Sequence, residues 1–174
     1  MATNIEIKAR VYDRARLLQR VAALKPDSAV MLEQVDTFYL TPHGRLKLRT
    51  LGPAEGQLVY YEREDAGGPR PSQYEVYYTQ TPSLLGMVLG QALGVRGTLR
   101  KKRWLFMVGQ TRVHVDQVED LGDFVELEVV LQPGQSHAQG RTIAEELMGR
   151  LGIQEKDLVD VAYIDLLEAP GPVE

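Results

Sequence analysis

The chain has 174 residues, 44% apolar and 25% charged, which suits one globular domain over 1–174 with a sizeable core. It contains no cysteine, so disulfides, thiolate metal sites and cysteine nucleophiles are excluded. A net charge of −4 gives no general basis for binding nucleic acid, and no apolar run approaches the ~20 residues of a membrane span. The N-terminus lacks the basic-then-apolar layout of a signal peptide, and the expected location is cytoplasmic.

In chain order, "NIEIKARV" alternates Asn4, Glu6, Lys8 and Arg10 with Ile5, Ile7, Ala9 and Val11, the pattern of a strand with one buried face. Asp13 is placed to cap a helix through Leu24, whose apolar stripe is Leu17, Leu18, Val21 and Leu24. "KPDS" breaks it. "EQVDTFYL" (33–40) reads as strand, "TPHG" as turn and "RLKLRTL" (45–51) as strand. "QLVYYERE" (57–64) is a fourth strand, "DAGGPRPS" a loop and "QYEVYYTQ" (73–80) a fifth strand. A helix follows over 81–94, with Thr81 as cap and Pro82 at its first position. "GTLRKKRWLFMV", "QTRVHVDQV" and "DFVELEVVL" are three more strands. Another helix runs from Ser136 to Gly152, residues 155–169 are helical in one or two pieces, and "PGPVE" (170–174) is a tail. About eight strands and four helices, with connections too short for parallel crossovers in the middle, define an α+β domain on an antiparallel sheet or barrel.

The charges are sorted by face. Arg45, Lys47 and Arg49 share one side of their strand, opposite Leu46, Leu48 and Thr50. Lys101 and Arg103 share another, Arg112, His114 and Asp116 a third, and Phe124, Glu126 and Glu128 a fourth. One reading is a solvated face whose charges pair across strands. The other is a closed barrel with apolar residues outward under helices and charges in the lumen. Single-sign strands favour the second. Lumen cations suit a polyanion such as a phosphate chain, and carboxylates among them would need a hard cation, Mg²⁺ or Mn²⁺, to tolerate it. The histidines at 43, 114 and 137 lack metal-ligand spacing. "RKKR" on such a strand reads as phosphate-binding rather than as a nucleic-acid patch, and Trp104 reads as core.

These segments resemble the CYTH superfamily, the triphosphate tunnel metalloenzymes, in motif order along nearly the whole chain. "NIEIK" resembles the Glu-x-Glu-x-Lys signature, "VDTFYLTPHGRLKLR" the Asp-Thr-Tyr segment with Leu-Arg-x-Arg, and "LRKKR" a Lys-x-Arg strand. "TRVHVDQVEDLGDFVELE" resembles the Arg…Asp…Gly…Glu-x-Glu run, and "AYIDLL" the closing Ser-Tyr segment. The resemblance implies an eight-stranded antiparallel closed tunnel with a charged lumen, flanked by helices. It implies Glu6, Asp116, Glu126 and Glu128 as ligands of Mg²⁺ or Mn²⁺. It implies Lys8, Lys47, Arg49, Lys101, Arg103 and Arg112 as triphosphate contacts, with Arg45 at the rim and Arg63 as the cation after the fourth strand. Tripolyphosphate, ATP or thiamine triphosphate is the implied substrate, a homodimer is compatible with the family, and nucleic acid and membrane are not expected partners. Hydrolysis is the favoured activity; a class IV adenylyl cyclase and a non-catalytic polyphosphate or nucleotide module are the alternatives. Asn4 stands where the family has its first glutamate, Phe38 where tyrosine is common and Ala162 at the serine position.

Overall fold

The computed structural model describes residues 2–65 and 68–168. Eight strands are present: β1 (Ala2–Arg10), β2 (Ser28–Tyr39), β3 (Arg45–Gly52), β4 (Glu55–Arg63), β5 (Arg70–Thr79), β6 (Val95–Val108), β7 (Thr111–Val118) and β8 (Gly122–Val130). All pair antiparallel in the order β1-β5-β4-β3-β2-β6-β7-β8. The ring closes because β1 pairs on one side with β5, Glu6 opposite Arg70, and on the other with β8, Lys8 opposite Glu126. Closure leaves no free sheet edge.

Helices α1 (Arg14–Ala23), α2 (Pro82–Leu93), α3 (His137–Leu151) and α4 (Tyr163–Glu168) flank the barrel. The Asp13 carboxylate accepts from the Arg16 amide at 3.0 Å, starting α1 as expected. Ser136 and Gln139 form a reciprocal capping box on α3, and Gly152 ends it in the left-handed conformation. Gly140 brings α3 hard against the barrel: a Cβ there would lie 2.6 Å from Ile5 Cγ1 and 2.5 Å from Leu131 Cδ2. The main core therefore sits outside the barrel wall. Ile5, Ile7, Val113, Val115, Val125, Leu127 and Val129 pack outward against Leu17 and Val21 of α1 and Ala144, Leu147 and Leu151 of α3. This settles which face is inside. The apolar residues already have helical partners, so the alternate, charged residues point into the lumen.

A second cluster, Phe38, Leu99, Phe124, Ala162, Tyr163 and Ile164, closes one end of the barrel beneath α4. The chain reaches that end by crossing β1, where the Val159 amide donates to the Lys8 carbonyl at 2.9 Å. Some boundaries differ from the sequence pattern. β2 starts at Ser28 rather than Glu33 because its first residues pair with β6, Ser28 opposite Met107. β5 starts at Arg70 because β1 pairs with it there, which shortens the expected loop. Where a helix over 155–169 is expected, residues 155–168 hold a 3-10 turn, Glu155–Asp157, and the short α4, and residue 169 lies outside the described residues. Residues 66–67 of the loop and the tail at 170–174 lie outside the described residues. Among the described residues, no helix is long and apolar enough to cross a membrane.

Candidate functional site

The lumen is a cavity of about 360 Å³. Lys8, Lys47, Arg49, Arg63, Lys101, Arg103 and Arg112 line it, with Glu6, Asp36, Glu126 and Glu128 among them. Seven cations against four carboxylates leave an excess of three positive charges on these described lining residues, in a chain whose net charge is −4. The period of two puts these side chains on one face of each strand, and closure turns the faces toward one another.

Two carboxylate–guanidinium forks organise the cations. Asp36 on β2 lies opposite Arg49 on β3 and accepts from its Nε and Nη2 at 2.8 and 2.9 Å. The Lys47 and Lys101 ammonium groups approach the same carboxylate at 3.3 and 3.6 Å. On the other side, Asp116 on β7 lies opposite Arg103 on β6 and receives its Nε at 2.7 Å. The Tyr163 hydroxyl also donates to Asp116, at 2.9 Å. Arg103 reaches on to Glu126 at 3.1 Å. Tyr163 lies beneath two ammonium groups, with Lys8 Nζ 4.1 Å and Lys101 Nζ 5.1 Å from its ring centroid.

Burial and crowding shift the ionisation of these groups. The Lys101 ammonium is pushed down to about 7, first by burial and then by Arg103, with Asp36 and Asp116 opposing. Lys8 is lowered to about 8 by burial, against the pull of Glu126. Glu6 is raised by burial and by the nearby charge of Glu128. Glu128 is held down at about 2: burial raises it, and His114 and Arg112 more than offset that. His114 is lowered by burial and by Arg103, with Glu128 and Glu126 opposing.

Glu126, Glu128 and His114 bring ligand atoms within 4.8 Å of one another. His114 Nδ1 is buried, with no hydrogen bond within 3.5 Å among the described residues, and Glu6 lies opposite Glu128 in the β1–β8 register. An imidazole nitrogen 3.6 Å from a Glu126 oxygen and 3.9 Å from a Glu128 oxygen forms, with those carboxylates, a donor set that fits a divalent cation. His114 was passed over in the sequence because its partners are on β8. Only the β7–β8 register, with His114 opposite Glu126, brings them together.

The other expected residues fall in distinct places. Asp116 is fully buried, does not line the cavity, and is tied to Arg103 and Tyr163. Arg63 lines the cavity and donates to Glu6 at 3.3 Å. Arg45 is not among the lining residues; it bridges Asp65 at 2.9 Å and Asp165 of α4 at 3.4 Å, at the closed end. Arg112 donates to Glu128 at 2.8 Å. Asn4 points inward, 2% exposed, with its side-chain oxygen unpartnered among the described residues. The sequence reading missed Asp36, although the pairing of an acid strand with "RLKLR" was available as a signal, and Arg70, buried on β5 beside Glu6.

A closed antiparallel tunnel with clustered cations and a group of acids defines a class of charged-lumen barrels. Residues 2–163 match the CYTH domain, and the chain belongs to that family. It is 29% identical over 178 residues to the adenylate cyclase CyaB of Aeromonas hydrophila, across 95% of this chain and 88% of that protein. The PH1012 protein of Pyrococcus horikoshii superposes with a TM-score of 0.82 at 23% identity, covering 94% of this chain and 98% of that one. HpAC1 of Hippeastrum, an adenylyl cyclase candidate described with a dominant triphosphatase activity, has a TM-score of 0.64 at 16% identity over 93% and 91%. These two structural likenesses concern the fold.

Proposed function

We propose that this protein is a divalent-metal-dependent enzyme that binds a triphosphate chain in the tunnel and hydrolyses it. The observation that carries the reading is the lumen's excess of positive charge around one acidic group within 4.8 Å. Glu126, Glu128 and His114, with Glu6 alongside, would hold Mg²⁺ or Mn²⁺, which supplies charge neutralisation at phosphate oxygens and activation of water. Lys8, Lys47, Arg49, Lys101, Arg103 and Arg112 grip the chain, the guanidinium groups by forked hydrogen bonds and the ammonium groups as point charges. The Asp36 and Asp116 forks hold Arg49 and Arg103 in place before substrate arrives, so little reorganisation is needed as charge builds on the departing phosphate. Tyr163 and α4 keep water from the closed end.

Incubation with Mg²⁺ or Mn²⁺ and each of tripolyphosphate, ATP and thiamine triphosphate, with assays for orthophosphate, pyrophosphate and cyclic AMP, tests the reading. Metal-dependent orthophosphate release from at least one of them is expected. Tight binding of tripolyphosphate with no turnover of any would make the protein a binding module. Cyclisation of ATP is the second reading, favoured by the likeness to CyaB, and cyclic AMP with pyrophosphate would establish it.

A further inference from the structure

We infer that Tyr163, at the start of α4, is a positioning residue for the tunnel's cations. The cap over the closed end then serves the reaction as well as shielding it. This rests on the reading that the tunnel turns over a triphosphate. Three cations meet on this one side chain, which is 4% exposed and lines the lumen. Its hydroxyl donates to one oxygen of Asp116 at 2.9 Å, and the other oxygen of that carboxylate accepts from Arg103 Nε at 2.7 Å. Its ring lies beside Lys8 and Lys101, whose Nζ atoms stand 4.1 and 5.1 Å from the centroid. A phenol presents a negative ring face and a hydroxyl donor together. Here the face meets two ammonium groups while the hydroxyl meets the carboxylate that backs a guanidinium. The chain just before Tyr163 adds to this hold on Lys8. The Val159 amide donates to the Lys8 carbonyl at 2.9 Å, and Lys8 Nζ donates to the Val161 carbonyl at 3.1 Å. A plug that only excluded water would need an apolar inward face. This one places a phenol and a carbonyl against charged groups.

Tyr163 is in turn fixed from outside the lumen. Asp165, two residues on, accepts from the Ala162 amide at 2.9 Å, from Arg96 of β6 at 2.6 Å and from Arg45 of β3 at 3.4 Å. Arg96 also forks onto Glu168 at 3.0 and 2.7 Å. Phe124 meets the Tyr163 ring edge-on, with centroids 4.9 Å apart. A helix of six residues has almost no stability of its own, so these contacts set where α4, and with it Tyr163, sits. Arg45, Arg96, Asp165 and Glu168 do not line the cavity. A clamp outside the lumen thereby reaches the inner cations through one side chain. Groups held in place before substrate arrives need little rearrangement as charge builds up in the transition state. Arg103, held in this way, also touches Glu126 at 3.1 Å, one of the candidate metal donors.

Steady-state kinetics with tripolyphosphate, ATP and thiamine triphosphate, each with Mg²⁺ or Mn²⁺, test this in the wild-type chain and in Tyr163→Phe, Tyr163→Leu and Asp165→Ala. Calorimetric binding of tripolyphosphate and a thermal melt accompany each variant. Tyr163→Phe keeps the ring, its packing on Phe124 and its two ammonium contacts. Its kcat is expected to fall about tenfold with KM within about twofold of wild type, as for an interaction made in the transition state. Tyr163→Leu removes the ring as well and is expected to weaken tripolyphosphate binding by roughly three- to tenfold besides. Asp165→Ala, whose lost contacts include none of the charged groups lining the cavity, is expected to show part of the same fall in kcat. Wild-type kcat and KM in Tyr163→Phe would overturn the inference, since the side chain would then be packing alone. So would activity losses that only track the fraction unfolded in the melts. A wild-type kcat in Asp165→Ala would overturn the part assigned to the outer clamp. A wild-type chain that turns over none of the three substrates would remove the enzymatic reading itself, and the inference with it.

Discussion

Asp36→Asn removes one charge and almost no volume, yet it acts on three cations at once. The carboxylate is 1% exposed and touches Arg49 at 2.8 and 2.9 Å, Lys47 at 3.3 Å and Lys101 at 3.6 Å. At 4 Å and an effective dielectric of about 20, each such contact is worth roughly 4 kcal/mol before desolvation is counted. Stripping one partner from a buried pair costs about 3–5 kcal/mol, because the opposite charge is left without compensation. Three stranded cations argue for the upper part of that range. Lys101 moderates it, since an ammonium already lowered to about 7 will release its proton once Asp36 is neutral. A loss of about 3–5 kcal/mol at pH 7 is therefore expected in urea unfolding followed through Trp104, the single tryptophan. The pH dependence gives an internal check. Its three cations hold the Asp36 carboxyl well below its ordinary 3.8 against the effect of burial. Its contribution is thus present above about pH 4 and fades as pH falls toward the folded value, so the variant and the wild type should converge in acid. A loss under about 1 kcal/mol at pH 7, or no convergence in acid, would refute the view that this carboxylate holds the cation cluster together.

Glu126→Gln and Glu128→Gln should each lower metal-dependent turnover by roughly 100-fold or more while leaving the fold intact, as measured by steady-state kinetics across Mg²⁺ and Mn²⁺ titrations; unchanged activity would remove them from the metal set. Lys101→Met should be more stable than the wild type at pH 6 and lose that advantage toward pH 10. The sign follows from the lowered lysine: between about 7 and 10.5 the unfolded chain keeps a proton the native state has shed, so wild-type stability climbs by up to about 1.4 kcal/mol per pH unit. Parallel pH profiles of the two proteins would contradict it. Gly140→Ala should destabilise by about 1–3 kcal/mol despite alanine's better helix propensity, because its Cβ meets Ile5 and Leu131 at 2.6 and 2.5 Å; thermal melts showing no loss would mean that α3 can shift outward freely.

Much of the wall was legible in the sequence because strand alternation is local. The period of two in "RLKLRTL" and "DFVELEVV" is enough to place Lys47 with Arg49 and Glu126 with Glu128, whatever the strands later pair with. The capping chemistry of α1 and α3 is equally local and appears where Asp13 and Ser136 announce it. The family motifs set the order of the strands along the chain and implied the closed tunnel.

What alternation could not reach was any relation across strands. Whether the charged face meets water or a lumen depended on β1 pairing with both β5 and β8, partners separated by most of the chain. Registers then assigned partners: His114 to Glu126, Asp36 to Arg49, and Asp116 to Arg103. That last pairing sets Asp116 behind Arg103, whereas the resemblance had grouped it with the metal carboxylates. The descent of α4 over one end set Arg45 against Asp165. By itself, then, the sequence determined which side chains share a strand face, since that follows from backbone geometry over a few residues. Only the tertiary structure decided which faces meet and which charges are neighbours, since those depend on pairings between residues far apart in the chain.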